Sequence, residues 1–173
     1  AECAALTFAY INPSSSITIS GTNTLTVSNY VYMPRPSNGD VCSININAGT
    51  LICASLTMAA TKQSRNDIIN ITTGTLTVNG NISTGTTGCK INITGTGNFY
   101  VGGNLNGTPD ITLGTGSTVV YAGDCDQSVH ATTYSNLSFS GTGTKYFTDL
   151  IVVTDTLILT EGMFMSDGMP MAD

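Results

Sequence analysis

The chain has 173 residues, of which only 9% are charged, with a net charge of −6 and a pI near 4.3. Its length fits one domain, and a charge fraction far below the roughly 25% of ordinary soluble domains leaves hydroxyls and amides to solvate the surface. Five Lys and Arg in all build no basic patch, which argues against a nucleic-acid partner, and no apolar run approaches the ~18 residues needed to cross a bilayer.

Residues 1–16 are expected to form an N-terminal strand or cap, or a segment between subunits, because Leu6-Thr7-Phe8-Ala9-Tyr10-Ile11 reads as a strand. Ala1-Glu2-Cys3 reads as the mature N-terminus of a secreted chain after signal removal. A recurring phrase then opens: an apolar–polar–apolar triplet, a turn around Gly-Thr, and a second apolar–polar–apolar run. It appears as Ile17-Thr18-Ile19, Gly21-Thr22, Leu25-Thr26-Val27, and next as Ile44-Asn45-Ile46, Gly49-Thr50, Leu51-Ile52-Cys53. The third and fourth copies are Ile69-Asn70-Ile71, Gly74-Thr75, Leu76-Thr77-Val78 and Ile91-Asn92-Ile93, Gly95-Thr96, Phe99-Tyr100-Val101. The last two are Ile111-Thr112-Leu113, Gly114-Thr115, Val119-Val120-Tyr121 and Leu137-Ser138-Phe139, Gly141-Thr142, Tyr146-Phe147. Triplets begin at 17, 44, 69, 91, 111 and 137, a period of about 20 to 27 residues, and such a period marks a stacked repeat.

The alternation has period two, so each strand has one apolar and one polar face. Gly-Thr pairs, Asn79-Gly80-Asn81 and Gly102-Gly103-Asn104 are read as turns in which glycine supplies positive φ. A weaker third strand fits at Tyr30 to Met33, at Leu56 to Met58 and around Ile82 and Leu105. The expected fold is all-β, a β-solenoid (β-helix) of about six to seven coils over residues 17–161. Coils roughly 4.8 Å apart would align Ile17, Ile44, Ile69, Ile91, Ile111 and Leu137 in one inward column, and Leu25, Leu51, Leu76 and Phe99 in another. The alternative is a β-sandwich, which does not require the same residues at the same offsets. Residues 162–173 form a Met-rich tail that breaks the repeat, with Gly162-Met163-Phe164-Met165 and Met169-Pro170-Met171 placed to cover the last coil or reach a neighbour.

Five cysteines point to an oxidising compartment, and the odd number leaves at least one free, paired with another chain, or paired with a residue outside these 173. Cys42 and Cys89 hold equivalent places two coils apart, about 9.6 Å by strand spacing, beyond the roughly 7 Å limit for a disulfide. Cys53 replaces the valines of neighbouring coils and reads as a small core hydrophobe. Cys3 and Cys125 are the best candidates for bonds between chains. No CxxC pair exists and there is one His, so no metal and no cofactor is expected.

Catalytic constellations are equally sparse. His130 lies near Asp124 and Asp126 without a nucleophile elbow. Asp67, Asp110, Asp149, Asp155 and Glu161 do not recur on one strand face as glycoside hydrolysis would need. Asp124 and Asp126 lack the per-coil pattern of repeat calcium sites. The reading is a protein that is not an enzyme.

Two positive features remain. Five sequons mark Asn70, Asn81, Asn92, Asn106 and Asn136 as glycosylation candidates, and Asn45, Asn70 and Asn92 are placed to form an outward amide ladder. Ile52, Tyr100 and Val120 are apolar at outward positions of the second strand and are candidates for an assembly face.

The segments Ser117-Thr118-Val119-Val120-Tyr121-Ala122-Gly123, Gln127-Ser128-Val129, Tyr134-Ser135-Asn136-Leu137, Ser140-Gly141-Thr142-Gly143-Thr144-Lys145 and Asp155-Thr156-Leu157-Ile158-Leu159 resemble repeat segments of secreted prokaryotic surface and adhesin-like β-solenoid proteins. The resemblance covers about a quarter of the chain and is compositional. It implies a cell-surface or extracellular structural protein with no enzymatic residues to carry over, although those proteins are long and multi-domain. A unit this small looks like a building block of a fibre, sheath or surface layer whose partners are copies of itself. The alternative is a binding module with Thr ladders for ice or surface glycans, motivated by Thr18, Thr26, Thr77 and Thr112.

Overall fold

A computed structural model describes residues 1–8, 14–34, 39–62 and 64–166. Ala9 to Ile11, from the expected N-terminal strand, and Met169-Pro170-Met171, from the tail, lie outside the described residues. The chain winds as an all-β solenoid of about 7 turns, with no helix among the described residues.

The strands arise turn by turn. β1 (Glu2–Thr7) comes first, then β2 (Ser15–Ile19) with β3 (Thr24–Met33), and β4 (Val41–Ile46) with β5 (Thr50–Met58). The next turns hold β6 (Asn66–Ile71), β7 (Thr75–Val78) and β8 (Ile82–Thr84), then β9 (Cys89–Ile93), β10 (Asn98–Val101) and β11 (Leu105–Asn106). They are followed by β12 (Asp110–Leu113), β13 (Thr118–Tyr121) and β14 (Gln127–Val129). The last two turns hold β15 (Thr133–Phe139) with β16 (Lys145–Phe147), and β17 (Val152–Leu159) with β18 (Phe164–Ser166).

All these strands pair in parallel, each with its equivalent one turn away. The main sheet runs β1-β3-β5-β7-β10-β13-β15-β17, a second runs β12-β9-β6-β4-β2, and a third runs β14-β16-β18. In the second sheet Ile17, Ile44, Ile69, Ile91 and Ile111 stand in one register column. In the main sheet the column is Leu25, Leu51, Leu76, Phe99, Val119, Leu137 and Leu157. Leu137 therefore belongs to this column and not to that of Ile17, and Tyr146-Phe147 pairs within the third sheet. The expected register slipped there because the second sheet ends at β12. The repeat loses a strand, and the next apolar triplet falls in the following one.

That lost strand changes the core. Through the first turns it is an aliphatic ladder in which Ile44, Ile69, Ile91, Leu51 and Leu76 are all fully buried, each such side chain contributing about 1.5–3 kcal/mol. Beyond β12, aromatic rings fill the space. Tyr121 stacks on Phe139 at 5.8 Å, and Phe139 meets Phe147 and Phe164 edge-on at 5.7 and 5.4 Å, geometries favourable for ring quadrupoles. Phe164 sits in β18, so the solenoid continues into the tail through Ser166, and at the other end it includes β1.

The repeated glycines have a different cause from the one expected. Gly49, Gly74 and Gly97 stand in one column without positive φ. A Cβ on them would come within 2.5 Å of Ile19 Cγ2, the Gly49 carbonyl oxygen or Ile71 Cγ2 respectively. They are required by the close approach of successive turns. In the fourth copy the column is held by Gly97 and not by Gly95, while Gly21 and Gly141 do adopt positive φ.

Candidate functional site

The most regular outward surface is the second sheet. Thr18, Asn45, Asn70, Asn92 and Thr112 align in register. Asn70 Nδ2 donates to Asn45 Oδ1 at 2.9 Å, and Asn92 Nδ2 donates to Asn70 Oδ1 at 3.0 Å. This is the expected amide ladder, and it ties Asn70 and Asn92 into the sheet. Asn136 Nδ2 likewise donates to Ser117 O at 3.1 Å. Of the five sequon asparagines, Asn81 and Asn106 are exposed; Asn81 uses its Oδ1 to accept from Asn104 N–H at 2.8 Å.

On the main sheet, Thr26, Ile52, Thr77, Tyr100, Val120, Ser138 and Ile158 form the outward column. The three apolar assembly candidates fare differently: Tyr100 is 37% exposed, Ile52 is half-buried and Val120 is buried at 8%. Val120 therefore offers no free contact area, and the largest apolar exposure lies elsewhere. Leu150, Val152, Leu157, Ile158, Leu159, Met163, Phe164 and Met165 are all exposed, and all belong to the last turn. Leu157 and Leu159 continue the inward columns of Leu137 and Phe139, yet they are 50% and 55% exposed where those two are 0% and 1%. At the opposite end a hollow of about 560 Å³ is lined in part by Ile17, Ile19 and Leu25.

The five cysteines carry free thiols. Cys42 and Cys89 flank Asp67 in one register column, so the carboxyl separates the two thiols. Cys53 is fully buried in the place of Val27 and Val78. Burial pushes the Cys42 and Cys53 thiols up to about 12, aided at Cys42 by the Asp67 charge, and burial also raises Cys89. Cys125 is exposed and Cys3 half-buried.

Two buried polar clusters carried no signal in the sequence. Asp67 is fully buried; its Oδ2 accepts from Ala60 N–H at 2.8 Å, while Oδ1 has no partner among the described residues. Burial raises its pKa to about 7 against the opposing bond from the Ala60 amide. The second cluster joins Gln127 and Lys145, both fully buried. Lys145 Nζ donates to Gly123 O at 2.8 Å and to Gln127 Oε1 at 2.6 Å. Gln127 Nε2 donates to Val101 O at 2.9 Å and Gly103 O at 2.6 Å, and Oε1 also accepts from Gly123 N–H. Desolvation lowers the Lys145 pKa, with Cys125, Asp124 and Asp126 opposing. The cluster pins three successive turns at the corner between the main and third sheets.

His130 is held by its backbone: its N–H donates to Tyr121 Oη at 2.9 Å and its carbonyl accepts from Tyr134 Oη at 2.5 Å. Burial lowers its side-chain pKa. Ser128, His130 and Asp149 line a common groove of about 320 Å³, but no hydrogen bond links their side chains among the described residues. Asp124 and Asp126 serve as turn acceptors, each Oδ1 receiving a backbone N–H, from Thr142 and Thr144 at 3.1 and 3.0 Å. Among the described residues, no group of three or more His, Cys, Asp or Glu is arranged to hold a metal ion.

Compared with known proteins, the chain matches no family model, no curated sequence and no solved structure at a significant level.

Proposed function

We propose that this chain is an extracellular structural protein that builds a filament, sheath or surface layer from copies of itself through stacking of strand edges. The observation that carries this reading is the uncovered last turn, where Leu157 and Leu159 occupy core columns at half exposure. A contiguous apolar surface of this kind marks a contact site, and an unpaired edge strand is a template for another chain. Covering the exposed half of one such Leu contributes about 1 kcal/mol. Extracellular placement is supported by the 9% charge content and by a surface of hydroxyls and amides. Electron microscopy of purified protein tests the reading. Filaments, tubes or sheets are expected, and monodisperse monomers at high concentration would contradict it.

A second reading, a module that binds ice or glycans, is favoured by the straight outward column of Thr18, Asn45, Asn70, Asn92 and Thr112. Its three amides spend hydrogen bonds on one another, which leaves fewer for a ligand. Thermal hysteresis assays and glycan arrays on monomeric protein test it, and null results in both remove it.

A further inference from the structure

We infer that copies join head to tail, with β17 of one pairing in parallel with β1 of the next, so that Leu159 lies beside Cys3 of the neighbouring copy. This rests on the assembly reading above and specifies its polarity and register.

The main sheet supplies the first reason. One column runs through Cys3, Val27, Cys53, Val78, Val101, Tyr121, Phe139 and Leu159. Every step along it is parallel, and β1 and β17 are its two ends. Placing β1 of a second copy after β17 repeats the rule that relates every other pair, and it pairs the two strand edges left open among the described residues. Carrying the register forward sets Cys3 on Leu159 and Glu2 on Ile158.

The β17 end presents Leu157, Leu159 and Phe164, while the opposite end offers a hollow lined by Ile17, Ile19 and Leu25 together with five Ser, Thr and Asn residues. These surfaces differ from each other, which makes the contact heterologous. A heterologous contact that does not close on itself grows into a filament.

In-register parallel neighbours stand roughly 4.8 Å apart, inside the ~4.4–6.8 Å range that a disulfide spans between Cα atoms. The test therefore uses Leu159→Cys in a Cys125→Ser background, which removes the exposed native thiol. The protein is assembled, oxidised and run on a non-reducing gel. A ladder of covalent multimers is expected, collapsing with reductant and vanishing when Cys3→Ser is added. Assemblies seen by microscopy without a Cys3-dependent ladder would overturn this register and leave the assembly reading standing. A ladder that survives Cys3→Ser means that the introduced thiols pair with each other across two C-terminal ends, and it would overturn the head-to-tail polarity. Absence of any assembly from the unmodified protein would remove both.

Discussion

Gly74 packs so closely against Gly49 that a Cβ on it would stand 2.5 Å from the Gly49 carbonyl oxygen. That same carbonyl accepts the Thr75 N–H at 2.9 Å, so the turn cannot retreat without losing its ladder. Gly74→Ala is expected to destabilise the solenoid by about 1–3 kcal/mol through overpacking, read as a lower urea midpoint. An unchanged midpoint would show that adjacent turns separate there at no cost.

Asp67 sets a pH dependence. Its folded pKa, raised from 3.8 to about 7, means that the fold prefers the protonated form. Its contribution is fully present below the unfolded value and is lost as pH rises through about 7. Stability should therefore fall by at most about 1.4 kcal/mol per pH unit across that window from this group. Asp67→Asn keeps the acceptor for Ala60 N–H and removes the charge, so it should flatten the slope and raise stability above pH 7. Melting curves at a series of pH values decide it, and a variant as pH-dependent as the parent would contradict this account.

Thiol reactivity should follow burial. Cys125 is expected to label fastest and Cys3 more slowly, while Cys42, Cys53 and Cys89 react only on unfolding. Mass-resolved alkylation of native protein reads this order. If native subunits are also joined by a disulfide, the exposed Cys125 is the expected residue, and boiled samples run with and without reductant show it. Early modification of Cys53 would contradict the placement of the core.

The Gln127–Lys145 cluster gives a non-additive pair. Gln127→Leu alone removes an acceptor from a buried ammonium and is expected to cost about 1–3 kcal/mol. Adding Lys145→Met replaces the remaining charge with an apolar chain and should recover a large part of that loss. Simple additivity of the two changes in a double-mutant cycle would refute the coupling.

The regular part of the molecule was legible in the sequence because each residue there answers to one local rule. Ile44, Ile69 and Ile91 alternate with Asn45, Asn70 and Asn92, and period two alone assigns them to inward and outward faces. The column of Leu137 is not legible locally, because local pattern cannot report that the second sheet stops at β12; only the stacking of whole turns shows which column a triplet joins. The glycines were recognised as turn residues, but the close contact of Gly74 with Gly49 joins positions 25 residues apart. The burial of Asp67 and Lys145 has no local mark, since it follows from neighbouring turns. Val120 stands on an outward position and is buried all the same.

The most direct test of the head-to-tail account is the axial repeat of the assembled protein, measured by cryo-electron microscopy. The main sheet contributes its ordered path of strands from β1 to β17 once per copy. At roughly 4.8 Å per strand, eight strands give a rise of about 38 Å per subunit, with an unbroken ladder of the same fine spacing along the filament axis. Filaments with that rise and that ladder are the expected result. Strands lying parallel to the axis, a rise unrelated to the strand count, or a solution of monomers would contradict it.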